Sequence, residues 1–339
     1  MKIINNLDLK PYNTFGISVI AKYFVQLNIQ SDIQKFLKMS EFHSIPKLVI
    51  GEGSNILLTK DFDGIVVKIN TKGIEIVREY KDEVLIKVNS GENWDDFVEY
   101  CVNNNYSGIE NLSKIPGTVG SSPVQNIGAF GCEVQDVIRY LEYTDIVTCK
   151  NQTLYFPDCK FGYRDSIFKN ALKNKTIITS VTFRLSKVFK PNLSYSGLKN
   201  ELEKEGITDP DIRQMRETVI KFRNSRVPDP KVIGNAGSFF KNPVIKAKKL
   251  LELKKKYPNI VSYKTENEDE MKVAAGWLIE ASGWKGKKVG VIGVNDLQAL
   301  ILLNYGDATG QEIMDLAKNI QNTIQEKFGI SLEIEVNIV

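Results

Sequence analysis

The stretch Ile115-Pro116-Gly117-Thr118-Val119-Gly120-Ser121-Ser122-Pro123-Val124-Gln125-Asn126-Ile127-Gly128-Ala129-Phe130-Gly131-Cys132-Glu133 decides how the rest of the chain is read. Glycines at 117, 120, 128 and 131, two prolines and the small Ser121 and Ser122 leave the backbone bare of bulky side chains. A polyanion can then approach the N–H groups closely, so the stretch predicts a cradle for phosphate or pyrophosphate. Its G-T-V-G spacing is not the G-x-G-x-x-G dinucleotide fingerprint, and no long helix pattern follows. It is not a P-loop, because no Gly-Lys-Ser/Thr closes it. Upstream, Gly51-Glu52-Gly53-Ser54-Asn55 follows the strand-like Lys47 to Ile50 and offers more N–H groups to the same ligand. Taken alone, that turn reads equally well as a glycine-rich connection. Asn13-Thr14-Phe15-Gly16 stands ahead of both and weakens the plainer reading.

Composition bounds the possibilities. A chain of 339 residues predicts two or three packed units, each large enough for a core. The N-terminal M-K-I-I-N-N-L-D-L-K lacks an apolar run of signal length, and no stretch approaches the ~20 apolar residues that span a bilayer. The expectation is a cytoplasmic protein without a membrane partner. Cys101, Cys132, Cys149 and Cys159 show no C-x-x-C spacing and His43 is the single histidine, so no metal site is expected and the thiols read as reduced and partly buried. A net charge of +4 does not suggest nucleic acid. The lysine-rich Lys246 to Lys256 reads as the solvated side of a helix with Leu250, Leu251 and Leu253 facing inward; attraction of a phosphorylated ligand is the alternative.

Periodicity predicts an α+β chain. Tyr23 to Leu27, Leu48 to Ile50 and Ile65 to Ile69 read as strands around a short helix capped by Ser31. Gly73 to Tyr80 and Val84 to Asn89 alternate like a hairpin. Trp94, Phe97, Val98, Cys101 and Val102 form one helical face, with Asn93 placed to cap it. Ile138 to Thr148 and Ile177 to Leu185 alternate as strands, and Asp209-Pro210 starts a helix through Ile212, Met215, Val219 and Phe222. A boundary near Val227-Pro228-Asp229-Pro230 gives a first region 1–227, with subdomains of about 1–70 and 71–227, and a second domain 228–339. In the latter, Asn267 and Glu270 read as a capping box for a helix through Val273 and Leu278, and Thr309 and Glu312 as another for a helix ending at Gly329. A final strand alternates Ile330, Leu332, Ile334, Val336 and Ile338 inward with Ser331, Glu333, Glu335 and Asn337 outward.

Three residues stand out for chemistry once His43, in the polar stretch Ser40 to Pro46, is set aside as a general base. Ser238 sits in the bare turn Gly234-Asn235-Ala236-Gly237-Ser238-Phe239-Phe240, where a hydroxyl can face a ligand or simply bond nearby backbone. Arg164, in Gly162-Tyr163-Arg164-Asp165, is a fixed cation suited to bidentate carboxylate binding; a surface pair with Asp165 is the alternative. Glu335 shares a strand face with Glu333, which by itself predicts a wetted edge.

N-T-F-G-I, G-E-G-S-N, I-P-G-T-V-G-S-S-P-V-Q-N-I-G-A-F-G, F-G-Y-R-D-S-I-F-K, G-N-A-G-S-F-F-K-N-P and A-A-G-W-L-I-E occur in that order across nearly the whole chain. In these motifs the sequence resembles the UDP-N-acetylenolpyruvoylglucosamine reductase (MurB) family. The resemblance implies a two-part FAD-binding domain of the vanillyl-alcohol-oxidase type, then a smaller α+β substrate domain whose C-terminal strand returns toward the active site. It implies non-covalent FAD, NADPH as co-substrate, a small UDP-sugar substrate and a monomer. Gly51, Gly53, Ser54, Asn55, Pro116, Gly117, Gly120, Ser121, Ser122, Gln125, Asn126 and Gly128 match the family's cofactor loops. Ser238 matches its proton donor, and Glu335, the second Glu of Leu332-Glu333-Ile334-Glu335-Val336, its catalytic glutamate. The implied reaction adds hydride from reduced flavin N5 to an enolpyruvyl ether, with Arg164 and Glu335 stabilising the enolate. Tyr195 matches the mobile tyrosine loop of the family's longer subclass, and Tyr163, Arg226, Asn242, Lys285 and Gln298 its substrate contacts. Arg226 departs from the lysine common there, keeping charge but changing geometry. Two rivals remain: a flavin-dependent sugar or alcohol oxidase with the same FAD domain, and a colourless nucleotide-sugar binding protein.

Overall fold

The computed structural model describes residues 1–339. Packing divides the chain into two units. The first comprises Met1–Leu7, Ala21–Glu52 and Phe62–Asn224, the second Asp8–Ile20, Gly53–Asp61 and Ser225–Val339. The second unit thus includes two N-terminal segments that a single cut near 227 assigns to the first.

In the first unit, strands Ile20–Leu27, Phe62–Ile69 and Lys47–Ile50 run parallel in that spatial order, with Ile3–Asp8 at the edge. Helix α1 (Gln30–Leu37) covers this sheet by burying Ile33, Phe36 and Leu37 against Val25, Leu27 and Val67. It begins one residue before the expected cap: Ile29 is extended with no side-chain cap, and Ser31 lies within the first turn. A second, antiparallel sheet orders Asn151–Tyr155, Ile138–Asp145, Thr176–Ser186, Glu83–Asn89 and Ile74–Glu79. Helix α2 (Trp94–Asn103) lays the expected apolar face on it, with Trp94, Phe97 and Phe183 in mutual ring contact, and the Asn93 side chain accepts from Asp96 N. Helices α3 (Ser196–Lys204) and α4 (Ile212–Asn224) pack through Leu198, Leu202, Met215, Val219 and Phe222. The start of α4 is fixed by Asp211 rather than Asp209, because the Asp211 carboxylate accepts from Arg213 N and Gln214 N, both at 2.8 Å. The four cysteines are free. Burial pushes the thiols of Cys132 and Cys159 up to about 12 and that of Cys101 well above its ordinary value.

The second unit holds two small antiparallel sheets and three helices: α5 (Ala247–Lys256), α6 (Ala275–Ala281) and α7 (Gly310–Phe328). On α5, Leu250 and Leu253 are buried but Leu251 is 64% exposed, so the apolar stripe is narrower than three leucines suggest. The Thr309–Glu312 capping box forms, and Gly329 closes α7 at φ +63°. The Asn267–Glu270 box does not. Asn267 instead makes a tight turn, its carboxamide oxygen accepting from Asp269 N, and Glu270–Val273 is the central strand between Val244–Lys246 and Ser262–Lys264. Pairing with strands on both sides outweighs the local helical signal, and α6 starts only at Ala275. The C-terminus is likewise irregular: only Asn337–Ile338 is strand, paired in parallel with Ile56–Leu57. No helix is long and apolar enough to cross a membrane.

Candidate active site

Within the first unit the glycines of the two loops permit backbone contact that any side chain would block. A Cβ on Gly51 would lie 2.4 Å from Thr118 Oγ1, and one on Gly120 would lie 2.4 Å from the Ser90 Cβ. Glu52 ties the loops together, its carboxylate accepting from Asn93 Nδ2 at 2.7 Å and from Gly117 N at 3.0 Å. The bare cradle expected from composition has a different form here. The N–H groups of residues 117 to 122 donate to Glu52, Ser121 Oγ, Glu92 O, Ser90 O, Thr118 O and Val119 O respectively. The Ser121 and Ser122 hydroxyls donate in turn to the carbonyls of Thr118 and Val119. Small residues therefore serve to bring segments together, and the space beside them is a cavity of ≈ 170 Å³. Gly51, Ser90, Thr118, Gly120 and Ser121 line it together with Val49, Ile50, Ile69, Phe168 and Ile178. Apolar walls beside glycines and hydroxyls fit a flat ring system on a polar tether, as in part of FAD.

Pro116 is exposed and Gln125 half-buried, whereas Asn126 is 0% exposed with its side chain held by the protein. The Asn126 amide donates to Glu133 Oε2 at 2.7 Å and Gly162 O at 3.0 Å, and its oxygen accepts from Gln135 N at 3.1 Å. Arg164 adjoins this network. Its backbone is left-handed, φ +54°, inside a turn closed by reciprocal Gly162–Asp165 bonds of 3.1 and 3.2 Å. The guanidinium donates to the carbonyls of Asn126, at 3.2 Å, and Gly128, and lies 4.0 Å from Glu133. Asp165, the expected alternative partner, accepts from Ser166 N at 2.9 Å and Asn170 Nδ2 at 3.0 Å and so shapes its own turn. Tyr163 places its ring 5.5 Å from the guanidinium carbon. Tyr195 stands just before α3, its ring in edge contact with Phe130 and Phe222.

In the second unit, the segments that carry Ser238 and Glu335 are paired despite the sequence between them. Glu335 N donates to Phe239 O at 2.8 Å, Lys241 N donates to Glu333 O at 2.9 Å, and Phe240 bridges Ile334. The serine turn takes its side-chain bond from Asn235, whose oxygen accepts from Gly237 N at 3.0 Å, so the Ser238 hydroxyl is not needed to hold the turn. Asn13-Thr14-Phe15-Gly16 backs this turn: Asn235 N donates to Thr14 O at 3.0 Å, and Phe15 meets Phe239 at 6.2 Å between centroids. Strand alternation fails at the glutamate, because Glu335 and Val336 are both buried. Glu333 remains outward, its side chain 70% exposed and paired with Lys241 at 2.5 Å. Gly53 and Asn55 lie in this unit too. Gly53 is left-handed at φ +65°, where a Cβ would meet Tyr12 O at 2.1 Å, and Asn55 Nδ2 donates to Glu335 O at 3.4 Å. Ser54 O accepts from Thr14 Oγ1 at 3.4 Å. Among the expected substrate contacts, Asn242 accepts from Ala275 N at 2.9 Å and so caps α6. Gln298 accepts from Leu300 N at 3.5 Å, Lys285 pairs with Glu280 at 2.9 Å, and Arg226 O accepts from Asn295 Nδ2 at 2.8 Å.

A protein of Flavobacterium johnsoniae named UDP-N-acetylenolpyruvoylglucosamine reductase is 46% identical over 340 residues, covering 100% of both chains. One of the same name from Pseudomonas syringae is 42% identical over 338 residues, covering 100% of this chain and 99% of its own. The chain belongs to the UDP-N-acetylenolpyruvoylglucosamine reductase family. Residues 229–339 match that family's C-terminal domain, and residues 21–153 match an FAD binding domain. The crystal structure of the reductase (MurB) from Thermus caldophilus superposes with a TM-score of 0.70 at 21% identity, covering 100% of this chain and 99% of that one, so the reductase fold is shared. Sequence reading missed three parts of the reductase framework: Glu52 as the tie between loops, Asn13–Gly16 as the support of the serine turn, and Glu133 beside Arg164. A carboxylate within each glycine stretch was the available signal for the first and third.

Proposed function

We infer that the chain is an FAD-dependent reductase that uses NADPH to convert UDP-N-acetylglucosamine enolpyruvate to UDP-N-acetylmuramate, in peptidoglycan precursor synthesis. The observation that supports this reading is the pairing of Phe239 with Glu335, which joins the serine turn to the segment of a buried glutamate in a chain of the reductase family. FAD, when bound, supplies the hydride carrier between NADPH and substrate. Gly51, Thr118, Gly120 and Ser121 border the cavity that suits part of it.

The substrate alkene is conjugated to a carboxylate, so hydride addition at the methylene carbon builds negative charge toward that carboxylate. Arg164, a permanent cation held on two carbonyls, would stabilise that charge, and Glu335 would share a proton with it. Ser238 would then deliver its proton to the adjacent carbon, its poor acidity offset by being held against a strongly basic carbanion. Tyr163, Tyr195, Arg226, Asn242, Lys285 and Gln298 would bind the UDP-sugar, Asn242 while also capping α6. We place the enzyme in the cytoplasm as a monomer.

The test is anaerobic NADPH oxidation by the purified yellow protein, with and without UDP-N-acetylglucosamine enolpyruvate. Sustained turnover only with that substrate is the expected result. Flavin that NADPH reduces but the enol ether fails to reoxidise would overturn the substrate, and a colourless protein would overturn the cofactor.

A further inference from the structure

We propose that Glu133 is a positioning residue for Arg164, setting the direction of the guanidinium without touching substrate; this rests on the reading of Arg164 given above. Arg164 approaches from a left-handed turn, so its backbone fixes where the side chain starts but not where its planar fork points. The carbonyls of Asn126 and Gly128 hold one side of the fork. Both are neutral acceptors on the same loop.

Glu133 adds a negative charge to these neutral acceptors. Its carboxylate is 4.0 Å from Arg164 Nη1, beyond hydrogen-bond reach, so it attracts the cation without occupying a donor. The glutamate is itself pinned, because Oε2 accepts from Asn126 Nδ2 at 2.7 Å and from Gln135 Nε2 at 2.6 Å. Asn126 joins both ends: its amide holds Glu133 and the turn at Gly162, and its carbonyl receives Arg164. The side chains of Arg164 and Glu133 are 17% and 28% exposed, so the attraction is only partly screened by water. Glu133 also closes the hairpin formed by Gly128–Ala129 and Cys132–Glu133, so the element that presents Gly128 O to the arginine carries the carboxylate as well. Misdirection of a stabilising group by about 1 Å costs on the order of 100-fold in rate.

The experiment measures the two half-reactions of the FAD-loaded enzyme separately, with NADPH and with UDP-N-acetylglucosamine enolpyruvate, in Glu133→Gln, Arg164→Ala and the double variant. Glu133→Gln should slow the substrate half-reaction roughly 10–100-fold, with flavin reduction by NADPH slowed at least tenfold less. Added to Arg164→Ala, it should cause no further loss, and Glu133→Asp should recover part of the rate. Gln135→Ala, which removes one of the bonds pinning the glutamate, should show the same selectivity on a smaller scale if Glu133→Gln does not fold. Equal loss in both half-reactions, no loss, or a loss that multiplies with that of Arg164→Ala overturns the proposal while leaving the arginine's role standing. If Arg164→Ala alone leaves the substrate half-reaction unchanged, the arginine's role falls and the proposal falls with it.

Discussion

The loop at residues 117–122 and the pairing of residues 239–241 with 333–335 are built by opposite means. In the loop, every backbone donor from 117 to 122 finds a partner within the first unit, and glycine supplies the closeness. In the pairing, ordinary residues nearly a hundred positions apart meet by backbone bonds, and no glycine separates Phe239 from Glu335 in space. Disturbing the loop should therefore show first in cofactor retention and stability, whereas disturbing the pairing should show first in chemistry.

The sharpest separation comes from Ser238→Ala, which should slow the substrate half-reaction by roughly 10³-fold and leave flavin reduction by NADPH nearly intact. Stopped-flow absorbance reads both, and equal loss in the two would end the proton-donor assignment. Glu335→Gln should cost roughly 10²-fold in the same half-reaction. Glu333→Gln, at an exposed site paired with Lys241, should stay within about threefold; reversal of that order would move the catalytic role to Glu333. Deletion of 337–339 removes the pairing with Ile56–Leu57 and the bonds from Asn337 to Asn55 O. A roughly tenfold fall in the substrate half-reaction is expected with flavin content unchanged, and an unaltered rate would show that the tail does not hold Glu335.

On the loop side, Gly120→Ala forces a methyl into Ser90, including its Cα at 3.0 Å, and should destabilise the protein by about 1–3 kcal/mol. Thermal unfolding and the flavin absorbance of the purified protein measure it, and a fully stable, fully yellow variant would show that the close approach is dispensable. The smallest effect expected is at Thr309→Ala, an exposed capping site with no role in the proposed chemistry, at about 1 kcal/mol in denaturant unfolding with both half-reactions unaffected.

Local signals reached a long way into this fold. The apolar face of α2, its Asn93 cap, the Thr309–Glu312 box and the glycine stop at 329 are each decided by residues within a few positions of one another. Where sequence reading failed, distant backbone had intervened. Glu270–Val273 became a strand because two other strands flank it, and Glu335 is buried in a segment that pairs with distant Phe239. The glycine stretch announced closeness but not what would approach, and Glu52 and Glu133 could be seen in the sequence without any sign of what they would face.

By itself, the sequence determined the elements with self-contained periodicity and caps, the family motifs and the residues available for chemistry, because helix faces, turn glycines and caps depend on near neighbours. Only the tertiary structure decided that Glu335 is buried and Glu333 is not in the segment paired with the serine turn, that Asn13–Gly16 supports that turn, and that Arg164 faces Glu133 rather than depending on Asp165. Each of those outcomes turns on a hydrogen bond or charge contact between segments far apart in the chain, and no local pattern specifies such a partner.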